Sequence, residues 1–233
     1  MYFYGFDMTY LVLVLPAIIF AFWAQMNVKT TFSKYTKVAT SRGLTGAMAA
    51  RRILDANGLS NVRIAQVAGD LTDHFNPKDN TVYLSTTVHS VSSAAAVGVA
   101  AHEAGHAVQH AVGYTPMKVR AAIIPITNIG SNLAMPLVLI GILLSFPTLA
   151  YIGVIAFGLS TLFQLVTLPV EFNASNRAMD ALTTSGTLDG DELKSARKVL
   201  TAAALTYVAA LAVSLANLIR LFLIVRGGDR RRR

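Results

Sequence analysis

Residues 99–110 read VAAHEAGHAVQH, three histidines and a glutamate packed into a chain of 233 residues that holds only five histidines. His102-Glu103-Ala104-Gly105-His106 has the form H-E-x-x-H. On a helix, two imidazoles four residues apart lie on one face, a turn apart, so both can reach one Zn2+ at about 2 Å. Glu103, one position along, points beside them toward the open coordination position. There a carboxylate can take a proton from an attacking water and pass it to a leaving amine. Ala100, Ala101, Ala104, Gly105 and Ala107 let the helix approach its neighbours closely, as they would in any buried helix. Two unrelated histidines on a polar face would give the same five letters. Zinc is favoured by the helical setting and by Glu103, an expensive residue in an otherwise apolar helix unless it has chemistry to do.

His110 repeats the four-residue spacing, but eight residues span about 12 Å of helix axis, too far to share an ion with His102. Nor does the stretch follow the longer metzincin pattern, whose next Gly and His would fall at Gln109 and Val112. His110 is therefore expected to be interfacial, to support a ligand from behind, or simply to lie on the surface. The third ligand must come from elsewhere. The chain has no cysteine, which excludes thiolate ligands and disulfides, and His74 and His89 precede the helix. The better candidate is Glu171, in LPVEFNASNRAMDAL, just where an apolar run ends. A His2Glu set with an open fourth position suits a catalytic zinc. Residue chemistry alone leaves Glu171 a second role, favouring a helix N-terminus electrostatically.

Around the motif lies a polar region, residues 27–120. GLTGAMAARRILDANGL reads as a short amphipathic helix, capped by Thr45 and ended by Asn57-Gly58. NVRIAQVAG alternates enough for a strand, and DLTDHFNPKDNTVYLS reads as strand, turn and strand. Ser92 or Ser93 then caps the long Ala-rich helix that carries the motif. Helix, strands and helix in this order predict a small α+β unit.

The rest of the chain is strongly apolar. Hydrophobic residues make up 54% and charged residues 14%, well below the roughly 25% charged in an ordinary soluble domain. Four runs are long enough to span a bilayer: residues 10–26, 121–145, 149–170 and 200–225. The first lacks a basic leader and a small-residue cleavage site, so it reads as a retained anchor. The short FPT turn forces the second and third into an antiparallel hairpin. The fourth is interrupted only by Arg220, which can snorkel to the interface. The expected division is an N-terminal span (1–26), a catalytic region (27–120), a membrane hairpin (121–170), a third-ligand helix with a polar connection (171–199), and a final span with a basic tail (200–233).

The net charge of +8 is unevenly spread: residues 27–122 hold ten Lys or Arg against five acids, and residues 1–9 hold no base. The positive-inside rule then places the N-terminus outside and the large loop in the cytoplasm. The tail RGGDRRRR runs against that rule for a four-span chain, although early spans usually dominate orientation. It reads as an anchor for lipid headgroups, with no call for nucleic acid.

The pieces GLTGA, ARRILDANGL, GDLTDHFNP, GVAAHEAGHAVQH, NIGSN, QLVTLPVEFNASNRA and ARKVLTAAALTYVAA carry a resemblance over essentially the whole chain. It resembles the YugP-type neutral zinc metallopeptidases, small bacterial membrane proteins. More remotely it is similar to the HtpX-type and CAAX-prenyl-type membrane proteases, where H-E-x-x-H is followed by a distant E-x-x-x-D. The resemblance implies that His102, His106 and Glu171 bind zinc and that Glu103 is the base. The Asp of E-x-x-x-D falls at Ser175, so the carboxylate expected behind a zinc-binding histidine is missing, and Asn173, Asn176 or Asp180 is left to orient the ligand. Arg177 is a candidate to hold a substrate carbonyl or an oxyanion, or else a structural ion pair. In such proteases an extended substrate joins a sheet edge beside the zinc helix, which directs attention to Leu71, Thr72, Asp73 and His74 within LTDHFNP. His74 there donates to the intermediate or simply packs the hairpin.

These readings converge on an α+β membrane protein of about four transmembrane helices with a small gluzincin-like helix-plus-hairpin unit. The expected activity is that of a zinc metalloendopeptidase at the membrane surface, in the bacterial cell membrane implied by the resemblance, acting on membrane-associated proteins or peptides. The competing class is a non-catalytic zinc-binding membrane protein acting in assembly or sensing. A transporter is disfavoured, because four spans with only Arg220 charged make a poor ion path.

Overall fold

The computed structural model describes the backbone of residues 2–3 and 6–230 and the side chains of residues 8–228. The end of the basic tail, residues 231–233, lies outside the described residues. The elements run β1 (Tyr2–Phe3), β2 (Phe6–Asp7), α1 (Leu15–Tyr35, entered through a π turn at Tyr10–Val14), α2 (Gly46–Ala56), β3 (Arg63–Val67), β4 (His74–Asn76), β5 (Thr81–Ser85), α3 (Thr86–His89), α4 (Ala94–Ala111), α5 (Thr115–Leu143), α6 (Pro147–Thr184) and α7 (Gly190–Arg230). The chain divides into two compact units: Met1–Ala24 with Val119–Leu168 and Thr206–Arg233, and Gln25–Lys118 with Pro169–Leu205.

The second unit holds the α+β part. The Thr45 hydroxyl accepts from the Met48 amide and starts α2, whose buried face of Ala49, Ala50, Ile53 and Leu54 packs on α4. Ser93 caps α4 in the same way, accepting from the Ala96 amide at 3.2 Å. The three-stranded sheet has the order β3-β5-β4: β5 lies in the middle, parallel to β3 and antiparallel to β4. Central placement explains why Thr81, Val82, Leu84 and Ser85 are all buried in a five-residue strand. The NPKDN turn is pinned by Asp79, whose carboxylate accepts from Asn76 Nδ2 and from the Tyr83 hydroxyl, both at 2.9 Å. One hydrophobic core joins α2, β5, α4 and the parts of α6 and α7 in this unit, through Leu54, Leu84, Val97, Leu182 and Val199.

The first unit is formed by long apolar helices. Among the described residues, four helices are long and apolar enough to cross a membrane: Tyr10–Tyr35, Thr115–Leu143, Pro147–Thr184 and Gly190–Gly228. Their outward faces carry large apolar side chains, Leu143 at 82% and Ile155 at 70% exposure, which water would penalise and lipid would not. Within this unit α5 and α6 approach closely at Gly153, where a Cβ would lie 2.7 Å from the Ala134 carbonyl oxygen. A Thr161–Ser214 hydroxyl pair at 2.8 Å ties α6 to α7. Arg220 sits over the Tyr10 ring at 5.4 Å, and Arg120 over Phe163 at 5.9 Å. The molecule is thus an α+β membrane protein.

The sequence suggests a boundary at 170/171, where apolar character gives way to polar. The helix does not stop there: residues 171–184 continue α6 without a break, Pro169 included. A change of composition alters which solvent a helix prefers, not whether its backbone stays helical. Likewise α7 begins at Gly190, ahead of its apolar stretch, with Asp191 and Glu192 in its first turn.

Candidate metal centre

Two helices of the second unit build the site. On α4, His102 and His106 stand one turn apart, their ring centroids 4.7 Å from each other and the rings nearly perpendicular. From α6, the Glu171 carboxylate meets them: its Oε2 lies 3.3 Å from His102 Nε2 and 3.5 Å from His106 Nε2. Close approach of the two backbones allows this. A Cβ on Gly105 would lie 2.7 Å from the Ala174 carbonyl oxygen, so only glycine fits at that crossing.

One ligand atom from each of His102, His106 and Glu171 falls within 4.8 Å of the others, and the three could hold a metal ion. Donors about 2.0–2.1 Å from a tetrahedral zinc stand roughly 3.3 Å apart, which matches the two His–Glu separations. Two imidazole nitrogens and a carboxylate oxygen are also the donor types zinc takes where thiolates are absent. Glu171 is 3% exposed, and a carboxylate so buried requires positive charge or donors around it.

Behind each histidine stands a hydrogen-bond partner on Nδ1. His106 Nδ1 is 3.0 Å from Gln109 Oε1, and His102 Nδ1 is 3.1 Å from Ser175 Oγ. Gln109 is fully buried; its amide nitrogen donates to the Val170 carbonyl at 2.8 Å and to Asn173 Oδ1 at 3.0 Å. Arg177 Nε donates to the same Asn173 oxygen at 2.8 Å. Neither Gln109 nor Ser175 is singled out as a supporting group by the sequence. One signal was available for Gln109, a polar side chain three residues from His106 on the same helical face.

Glu103 is buried beside the cluster. Burial pushes its carboxyl above the usual carboxylate range; His102 and His106 pull it back, while Asp73 and Glu171 add to the rise. Of the other candidates, His74 lies on the edge strand β4, with Nδ1 2.9 Å from the Thr72 carbonyl oxygen and its ring stacked 5.0 Å from Tyr83. Leu71 is exposed with φ of 54°, and the Thr72 hydroxyl donates to the Ala68 carbonyl. The Asp73 carboxylate faces inward, accepting from the Ser85 amide at 2.7 Å and hydroxyl at 2.9 Å. Arg177 lines a groove with Arg52, Asn57, Gly105 and Asp180, and none of the three metal-ligand candidates borders that groove. His110 lies apart from the cluster, its ring tilted against Phe75 of β4 at 5.7 Å.

The chain belongs to the family described as "Putative neutral zinc metallopeptidase", which matches residues 10–226. It is 46% identical over 221 residues to "Putative membrane protease YugP" of Bacillus subtilis (strain 168), a match covering 95% of this chain and 98% of that protein. No solved structure matches the chain. Membership implies Zn2+ as the cofactor.

Proposed function

We propose that the protein is a membrane-embedded zinc metalloendopeptidase of the gluzincin type, with His102, His106 and Glu171 as the metal ligands and Glu103 as the general base. The observation that carries this reading is the meeting of both imidazole Nε2 atoms with one Glu171 oxygen, at 3.3 and 3.5 Å. Zinc held there supplies Lewis acidity, polarising a scissile carbonyl and making water easier to deprotonate. Glu103 takes the proton from the attacking water on its carboxylate and delivers it to the leaving amine nitrogen. Its burial beside the cluster keeps it close to the reacting atoms for both halves of that task.

The substrates are proteins or peptides in or near the membrane, since the catalytic region, residues 27–120 with 171–199, is bounded in sequence by the spans. An extended substrate pairs with the outer edge of β4 (His74–Asn76), beside Leu71, Thr72 and Asp73 of the segment that leads into it. For Arg177, an oxyanion role competes with its bond to Asn173. The excess of Lys and Arg over acids in residues 27–122 supports a cytoplasmic active site.

Glu103→Gln tests the assignment. In purified full-length protein the variant keeps its zinc and loses cleavage of an unfolded membrane-anchored substrate by at least about 100-fold, the lower end expected of a general base. Retained cleavage would remove Glu103 as the base. Wild-type protein that holds zinc but cleaves nothing would favour a sensing or assembly role.

A further inference from the structure

A chain of polar groups runs from Arg177 to His106, and its members leave little freedom in how each is oriented. Arg177 is a donor only, so the Asn173 atom it meets at 2.8 Å must be the amide oxygen. That oxygen accepts from Gln109 at 3.0 Å, so the Gln109 atom facing it is the amide nitrogen. The Val170 carbonyl, an acceptor only, imposes the same choice from another side at 2.8 Å. Gln109 therefore turns its oxygen toward His106, and at 3.0 Å that oxygen can only accept, so His106 carries its proton on Nδ1. In the neutral ring the lone pair is then on Nε2, the atom that faces Glu171 and that a cation held between them would take. Reversing the Gln109 amide would set oxygen against two acceptor oxygens inside a fully buried site.

His102 lacks such a device. Its Nδ1 partner is the Ser175 hydroxyl, which can donate or accept and so does not select a tautomer. The two histidines of the motif are thus unequally prepared for a cation.

We infer that Gln109 is a positioning residue that presets the metal-facing nitrogen of His106, with Val170, Asn173 and Arg177 holding it in register. The inference rests on the zinc reading given above for the role of the preset nitrogen, but its geometric part does not need the metal. In it Arg177 acts through Asn173 and Gln109 and touches no substrate.

Two readouts test it on the full-length chain in detergent. In metal-free protein with 15N-labelled histidine, two-bond 15N–1H correlations should show a proton on His106 Nδ1, whether or not Nε2 also carries one beside the Glu171 carboxylate, assigned by its loss in His106→Ala. Gln109→Leu should turn that signal into a mixture of tautomers. Competition with a chromogenic chelator should show zinc affinity falling about 10–100-fold in Gln109→Leu, the usual consequence of removing a ligand's outer partner. In a His106→Ala background the same substitution should have no further effect on affinity, because the two act as a unit. Should Gln109→Leu fail to fold, Arg177→Met reads the outer end of the chain, with a smaller fall in affinity that Arg177→Lys restores. A His106 protonated on Nε2 alone in the wild type would overturn the inference, as would unchanged affinity in Gln109→Leu. Wild-type protein that binds no zinc while keeping the Nδ1 tautomer would sink the metal reading and leave the hydrogen-bond chain standing.

Discussion

His102 and His106 share a motif yet have different partners behind them, an ambiguous hydroxyl for one and a directed amide for the other. Ser175 stands where related proteases carry an aspartate, and a carboxylate there would accept firmly from His102 Nδ1. Ser175→Asp should therefore tighten zinc binding, by up to about tenfold if the new acceptor orients the ring as outer partners do. Chelator competition reads this directly; unchanged or weaker binding would contradict it. At this scale the candidate ligands are easier to read from the sequence than the groups behind them. His102 and His106 stand out by spacing, whereas residue chemistry leaves Glu171 open between a ligand and a helix-terminus role, and only the family resemblance favours the ligand. Gln109 stayed hidden because what gives it direction, Val170 and Asn173, lies 61 and 64 residues further along the chain.

Among the elements, the crossing of α4 and α6 matters most, and Gly105 sets its distance. Alanine gains about 1 kcal/mol of helix propensity over glycine, but here its methyl would meet a backbone carbonyl that cannot swing aside. Overpacking of that kind costs about 1–3 kcal/mol. Gly105→Ala should therefore lower stability in chemical denaturation and weaken zinc binding together, since the helices must part to admit it. A stabilised variant with unaltered affinity would show that the crossing does not govern the site. Helix starts were readable because Thr45 and Ser93 are local signals, bonding amides three residues away. The parallel pairing of β3 with β5 was not, since it depends on β4 folding back along the other side of β5. The continuity of α6 through Glu171 escaped for a different reason, the change from apolar to polar residues having no counterpart in the backbone.

For the whole molecule, four candidate spans and a basic loop make the proposed orientation testable. A reporter that fluoresces only in the cytoplasm should be bright when inserted at the exposed turn after α2, at Gly58, and dark when fused to the C-terminus. The reverse pattern would mean that the arginine-rich tail, and not the loop, sets the orientation. The spans were legible from composition alone; the pairing of His106 with Glu171 across 65 residues and two apolar segments came from the resemblance, and the fold brings the two to 3.5 Å. Whether the three side chains share one ion is decided by zinc K-edge X-ray absorption on the purified chain. One zinc per chain is expected, with two imidazoles and a carboxylate oxygen. In Glu171→Ala the carboxylate contribution should vanish and zinc affinity should fall by at least about 100-fold, since a ligand matters more than its outer partners. A wild-type spectrum with any number of imidazoles other than two, or a Glu171→Ala spectrum identical to it, would contradict the account.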